Sequence, residues 1–241
     1  MPAEETIPRP SSTVVLVRSG KSCPEVFMVK RHAKSSFGSS FAFPGGVLEA
    51  ADARVHDFGT GMSAAQAGKL LQMESGALDY YSAAIRELFE ESGVLLAAHS
   101  MSARELAASR NALNAGSLAW DRFTREQQLQ LRYGELHYFS FWITPPGLPK
   151  RYSARFFLAE LPGSQLASHD GGELTDSCWM PAADILAARK LKQMKLPYAT
   201  RKTLKRVAAF GRTADLLEWA RACGNKGVLC DRPAFRPGIV A

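Results

Sequence analysis

No stretch of the sequence approaches the roughly 18 to 20 consecutive apolar residues that a membrane-spanning helix requires, so a helical membrane protein is not expected. The opening residues, MPAEETIPRPSS, supply neither the apolar run of a secretory signal nor a basic amphipathic targeting helix. Cysteine is scarce: Cys23, Cys178, Cys223 and Cys230 stand apart without a C-x-x-C pair, which suggests neither a disulfide framework nor a zinc site. Reduced thiols in a cytoplasmic protein are the expectation. The final residues, Gly238-Ile239-Val240-Ala241, carry no Ser-Lys-Leu-type address. Internal repeats and low-complexity tracts are also missing. The last shortage is local: between Arg189 and Arg212 lie nine basic residues and no acid. Outside that segment the chain is slightly acidic, with 23 Asp and Glu against the remaining 21 of its 30 Lys and Arg. Such a segment is usually a solvated helix face, but it can also draw in a nucleotide, a coenzyme or RNA.

What remains is the profile of one globular unit, with 241 residues, 46% hydrophobic and 22% charged. Residues 1 to 11, with Pro2, Pro8 and Pro10, read as a loose leader, 12 to 220 as the folded domain and 221 to 241 as an irregular tail. The β-branched and aromatic runs Ser12–Val17 and Glu25–Val29, broken by Gly20 and Pro24, predict a hairpin. Phe43-Pro44-Gly45-Gly46 closes a loop whose proline and glycines hold a particular shape. Helices are predicted from Ser63 to Met73, stopped by Gly76, and from about Asp79 to Ser92, stopped by Gly93. Residues 94 to 98 suit a short strand, and 102 to 132 are helical with Ser102 and Ser117 as candidate N-caps. Strands are predicted again at Tyr138–Thr144, Arg155–Ala159 and Cys178–Met180, and helices at Pro181–Arg189 and about Tyr198–Phe210. Mixed elements with short connections indicate an α/β sandwich with a mixed sheet.

The chemistry concentrates in Ala83–Val94. At about 100° per residue, Glu87, Glu90 and Glu91 share one face of the helix, while Ile85, Leu88 and Phe89 take the opposite, buried face. Like charges at these spacings repel by a few tenths of a kcal/mol per pair. Arg86, four residues before Glu90, offsets one of them, and the rest suit a hard divalent cation such as Mg²⁺, which takes carboxylate oxygens and keeps room for water and phosphate.

Gly46, Asp52 and then Arg86-Glu87-Leu88-Phe89-Glu90-Glu91-Ser92-Gly93-Val94 resemble the Nudix box, Gly-x5-Glu-x7-Arg-Glu-U-x-Glu-Glu-x-Gly-U with U a bulky apolar residue. The second half matches at every defined position. The first half departs twice: Asp52 replaces a glutamate, and 33 residues, 53 to 85, stand where the family has seven. An insertion inside the box, at about 53–82, together with Trp142-Ile143-Thr144-Pro145 and Arg151–Phe157, is similar to the subfamily of the peroxisomal coenzyme A diphosphatases. A further helical insertion is read at about 100–135. The resemblance implies a Nudix-type α/β/α sandwich and hydrolysis of a diphosphate joined to a nucleoside, with Mg²⁺ or Mn²⁺ as cofactor. By the matched positions Glu87, Glu90 and Glu91 are metal ligands with the Gly46 carbonyl nearby, and Arg86 orients the carboxylates.

Glu173, on the His169–Leu174 loop, is a further candidate catalytic residue, as a general base. Lys30, Arg31, His32 and Lys34 precede the Phe43–Gly46 loop, where cations can meet phosphate. Lys30 and Arg31, with Arg151 and Arg155, form the substrate-binding set, although an arginine alternating with aromatics can equally lie along a sheet edge. Tyr138, Phe139, Phe141 and Trp142 read as core before they read as stacking platforms. Coenzyme A or acyl-coenzyme A is the leading substrate, with ADP-ribose, dinucleotides or nucleotide sugars as the enzyme alternative and a silent nucleotide- or RNA-binding protein as the other. The expected partner is a small nucleotide or coenzyme, not nucleic acid or membrane, and a homodimer is left open.

Overall fold

In the computed structural model, residues 6–32, 39–163 and 165–233 are described. Strands β1 (Arg9–Ser19) and β2 (Pro24–Arg31) form the expected hairpin, Val17 facing Val26. β1 begins earlier than expected: Arg9, Pro10 and Ser11, read as leader, belong to the strand and pair with 152–154. The short strands β3 (Phe41–Ala42) and β4 (Gly45–Val47) follow, then two 3-10 turns at Asp52–Arg54 and His56–Phe58 and strand β5 (Gly59–Thr60). Next come α1 (Ala64–Leu71), α2 (Ala77–Ser92), β6 (Ala97–Ala98), α3 (Ala103–Asn114), α4 (Trp120–Glu126) and β7 (Gln130–Arg132). β8 (His137–Ile143), β9 (Tyr152–Glu160) and β10 (Leu174–Pro181) return to the main sheet, followed by α5 (Ala182–Lys190), α6 (Tyr198–Val207), α7 (Thr213–Lys226) and β11 (Cys230–Asp231).

The main sheet runs β10-β2-β1-β9-β8-β11, with β3 on β2 and β4 on β1. It is mixed, because β1 and β9 are parallel over Arg9–Val17 while β1–β2 and β8–β9 are antiparallel. Period-two alternation sends Val14 and Leu16 to one face, where α1 and α2 pack, and Val15 and Val17 to the other, where α5, α6 and α7 pack. Strands buried on both faces between helical layers make the expected α/β/α sandwich.

The regions expected as insertions are one structure. β7 pairs with β5 from the first and with β6, forming a small separate sheet. Ser63 and Ser102 each close a capping box, with Gln66 and Glu105 returning the bond. Ser117 is not a cap; its hydroxyl donates to the Ala112 carbonyl at 3.1 Å, and α4 starts after Ala119. Gly76 does not stop α1, which ends at Gln72 in the left-handed region; it starts α2 instead. The expected irregular tail is helical to Lys226 and rejoins the sheet through Cys230–Asp231, which pair with Phe141–Trp142.

Candidate active site

The site forms where α2 passes beneath β4. Two bonds fix that crossing: Ser12 Oγ on β1 donates to the Tyr80 carbonyl at 2.7 Å, and Arg86 Nη2 donates to the Val47 carbonyl at 2.8 Å. β4 is held in turn by β1, Ser12 facing Gly46 and Thr13 facing Gly45. The glycines are required by closeness. A Cβ on Gly45 would strike the Ser12 backbone, and one on Gly46 would strike the Glu87 carboxylate.

α2 presents the faces expected of it. Ile85, Leu88 and Phe89 are buried in the core, and Glu87, Glu90 and Glu91 turn toward β4 and its surroundings. Arg86 is 2% exposed and organises them. Its Nη1 donates to Glu87 Oε1 at 2.9 Å and Glu90 Oε2 at 3.1 Å; its Nε and Nη2 donate to the two oxygens of Asp52 at 3.1 and 3.0 Å. Asp52 is fully buried and also accepts from the Ser82 hydroxyl and the Glu49 amide. Trp120 of α4 donates its indole N–H to Ser82 at 3.0 Å, which ties the insertion to the same network. A second tie is Arg110 of α3, whose Nε donates to the Glu90 carbonyl at 2.9 Å.

Glu91 is the most enclosed of the three glutamates. Its Oε2 accepts from the Gly45 amide at 2.9 Å, and its Oε1 lies 3.4 Å from Arg31 Nη2. Burial pushes its carboxyl up to about 8, against the opposing pull of Arg31. Glu90 is pushed up to about 7 and Glu87 upward as well, again by burial. Burial would lower Arg86, but Glu87, Asp52 and Glu90 more than reverse this and raise it. Arg31 is raised chiefly by Glu91 and also bonds the Gly45 carbonyl at 2.8 Å. Its Nη1 is 3.7 Å from Glu173, so the late loop does bring that carboxylate to the site.

Among the described residues no three acidic, histidine or cysteine side chains stand ready-gathered around one point. The donor set nevertheless fits a divalent cation. Glu87, Glu90, Glu91 and Asp52 against Arg86 and Arg31 leave a surplus of two negative charges in a place where burial already disfavours them. Hard oxygen donors beside a cleft are what such an ion takes.

The cleft above these groups encloses about 350 Å³. Glu87, Glu91, Arg31 and Glu173 form its polar end, and Phe43, Trp142, Tyr152 and Phe156 its aromatic walls. Trp142 thus belongs to the site as well as to the sheet, a double role that strand composition does not reveal. Arg9 and Thr200 also line the cleft and were not anticipated, because each sits in a segment whose own pattern carries no signal.

Three expected substrate contacts lie elsewhere. Arg155 faces the other side of β9, with its guanidinium 4.3 Å from the Tyr80 ring centre and 4.5 Å from that of Phe141 and a bond to the Leu71 carbonyl. Neither a substrate contact nor a sheet edge describes it, since β9 lies between β1 and β8. Arg151 is buried and donates to the Thr144 and Thr6 carbonyls, clamping the β8–β9 connection and the chain ahead of β1. The Lys30 ammonium lies over the Phe41 ring at 5.6 Å and is not part of the cleft lining. Lys34 falls outside the described residues.

Comparison with known proteins places the chain. The acyl-coenzyme A diphosphatase NUDT19 of Xenopus laevis is 24% identical to this chain, which is covered to 80% and spans 62% of that protein's length. Among solved structures, a NUDIX hydrolase from Alicyclobacillus acidocaldarius superimposes with a TM-score of 0.71 at 24% identity, over 88% of this chain and 96% of that one. The NUDIX domain profile matches residues 8–201, which include every strand of the main sheet except β11 and the whole carboxylate cluster. The chain therefore belongs to the NUDIX domain family.

Proposed function

We propose that this chain is a Mg²⁺- or Mn²⁺-dependent diphosphatase that hydrolyses coenzyme A or acyl-coenzyme A to 3',5'-ADP and (acyl-)phosphopantetheine. The observation that carries the reaction is the set of Glu87, Glu90 and Glu91 beneath Gly45–Gly46, of which Glu87 and Glu91 line an aromatic-walled cleft. Support for the substrate comes from the similarity to an acyl-coenzyme A diphosphatase and from the interruption of the box between Asp52 and Arg86.

The three glutamates and the Gly46 carbonyl would hold the ion, which when bound neutralises phosphate oxygens and acidifies the attacking water. Arg86 and Asp52 keep the carboxylates in place. Arg31 stands where it can pair with a phosphate oxygen in exchange for Glu91. Glu173, 65% exposed and in the wall of the cleft, can accept the proton of the attacking water. Phe43, Trp142 and Phe156 exclude bulk water and give a flat ligand a surface.

Product analysis tests both halves. Purified protein with Mg²⁺ or Mn²⁺ is offered coenzyme A, acetyl-coenzyme A, ADP-ribose, NADH and diadenosine polyphosphates, with Glu91→Gln alongside. Preferential release of 3',5'-ADP is expected, with a loss of roughly 10² to 10⁴ in rate for the folded Glu91→Gln protein. Faster cleavage of ADP-ribose or a dinucleotide would overturn the substrate and leave the site standing. Normal turnover by Glu91→Gln would overturn the site.

A further inference from the structure

The nine cations between Arg189 and Arg212 have no part in the chemistry above. The fold gathers five of them between two helices. α5 turns Leu186, Arg189 and Lys190 toward α6, and α6 turns Tyr198, Arg201, Lys202 and Lys205 back toward α5. The spacings, i, i+3, i+4 on one helix and i, i+3, i+4, i+7 on the other, each define a single stripe. The opposite stripe of α6, with Thr200, Thr203, Leu204 and Val207, is buried against the sheet.

These seven residues line an open groove of about 480 Å³ with five cationic side chains and no carboxylate in its wall. Tyr198 helps to collect them. The Arg201 guanidinium lies 5.3 Å and the Lys202 ammonium 5.5 Å from its ring centre. Like charges at i,i+3 and i,i+4 destabilise a helix, and nothing in the wall relieves that repulsion. A multiply charged anion would.

The groove also neighbours the catalytic cleft. A smaller hollow lined by Trp142, Tyr198, Lys202, Arg206, Asp231 and Arg232 lies between them, sharing Tyr198 and Lys202 with the groove and Trp142 with the cleft. The Tyr198 and Trp142 rings meet edge to face, 6.0 Å between centres.

We infer that the groove between α5 and α6 is an anion site for a phosphate-bearing small ligand, distinct from the diphosphate cleft. Its fit is to an oligophosphate or to a phosphate group displayed by a larger nucleotide, because five cations around one hollow favour charge concentrated on a small ligand. The inference does not depend on which diphosphate the cleft hydrolyses.

The test is titration calorimetry with inorganic tripolyphosphate and no divalent metal, on the wild type, Arg201→Gln/Lys205→Gln, Arg189→Gln/Lys190→Gln and Glu91→Gln. One equivalent should bind the wild type at low salt and weaken as salt rises. Affinity should fall at least tenfold in each double variant, folded by circular dichroism, and persist in Glu91→Gln. Having two double variants on separate helices guards against one that does not fold. Competition identifies the source of the phosphate. Displacement of tripolyphosphate from Glu91→Gln by coenzyme A but not by its 3'-dephospho form would assign the site to the substrate's own phosphate; displacement by neither would assign it to a separate ligand, and both results support the site. Absence of binding, or binding unaltered in both double variants, would overturn it. So would tighter binding of single-stranded RNA that strengthens with strand length, since that marks an extended nucleic-acid surface.

Discussion

Asp52 shows how one residue can sustain a site it does not enter. Fully buried, it meets two of the three nitrogens of Arg86 and so frees the third to bridge Glu87 and Glu90. Asp52→Asn removes the charge and keeps the shape, leaving a buried guanidinium with its two-bonded partner neutralised. The expected cost is about 3 kcal/mol of unfolding free energy, read as a lower urea midpoint, with a lower kcat as Arg86 loses its orientation. A change below about 0.5 kcal/mol, the level of an ordinary surface substitution, would mean that Glu87 and Glu90 hold Arg86 unaided. At this scale the sequence was legible where chemistry is local. Glu87, Glu90, Glu91 and Arg86 followed from helical spacing and the box; the box marked the position of Asp52 but not its role. Arg155 was not legible. Alternation puts Tyr152, Ala154 and Phe156 on one face of β9 and Arg155 on the other, but nothing in the strand says which face overlooks the cleft.

Among the elements, α2 was the most readable, since its amphipathic pattern and its glycine stop are both internal to it. Gly93 sits just after the helix with φ of 75°, and its N–H closes on the Phe89 carbonyl. Gly93→Ala should cost about 1 kcal/mol for the left-handed conformation, and the new methyl would come 3.0 Å from Arg110, the residue that pins α3 to Glu90. The expected result is a lower denaturant midpoint with an unchanged m-value; an unchanged midpoint would refute the assignment. α7 escaped the sequence reading for a related reason. Gly224 looks like an end to regular structure, yet it lies inside the helix because a Cβ there would come 2.8 Å from the Tyr138 carbonyl. A glycine chosen for close packing and a glycine chosen for a turn are indistinguishable in the chain. Gly76 misled in the same way, as the start of one helix and not the end of another.

For the molecule as a whole, acid stability depends on more than the carboxylates. His137 on β8 is lowered to about 4, by burial first and then by Arg221, whose Nε donates to its Nε2 at 3.2 Å. In the unfolded chain a histidine titrates near 6.5. Between these values the unfolded state binds a proton that the folded state refuses, so this contribution to stability is complete above about pH 6.5 and declines as pH falls toward 4. The raised carboxyls of Glu87, Glu90 and Glu91 act in the opposite sense and are common to both proteins, so the urea midpoint of the wild type should fall relative to that of His137→Gln as pH drops through that window. Parallel slopes for the two proteins would remove His137 from the account.

The parallel pairing of β1 with β9 sets an order of assembly. Arg9 faces Tyr152 and Val17 faces Glu160, a separation of 143 residues at each end. During synthesis β1 can join β2 almost at once, but its other edge must wait until nearly two thirds of the chain has been made. Contacts so distant in sequence form slowly, and an unpaired apolar edge invites association with other chains. The strand that holds Gly45 and Gly46 over the glutamates is therefore also the strand most exposed to misassembly before the protein is finished.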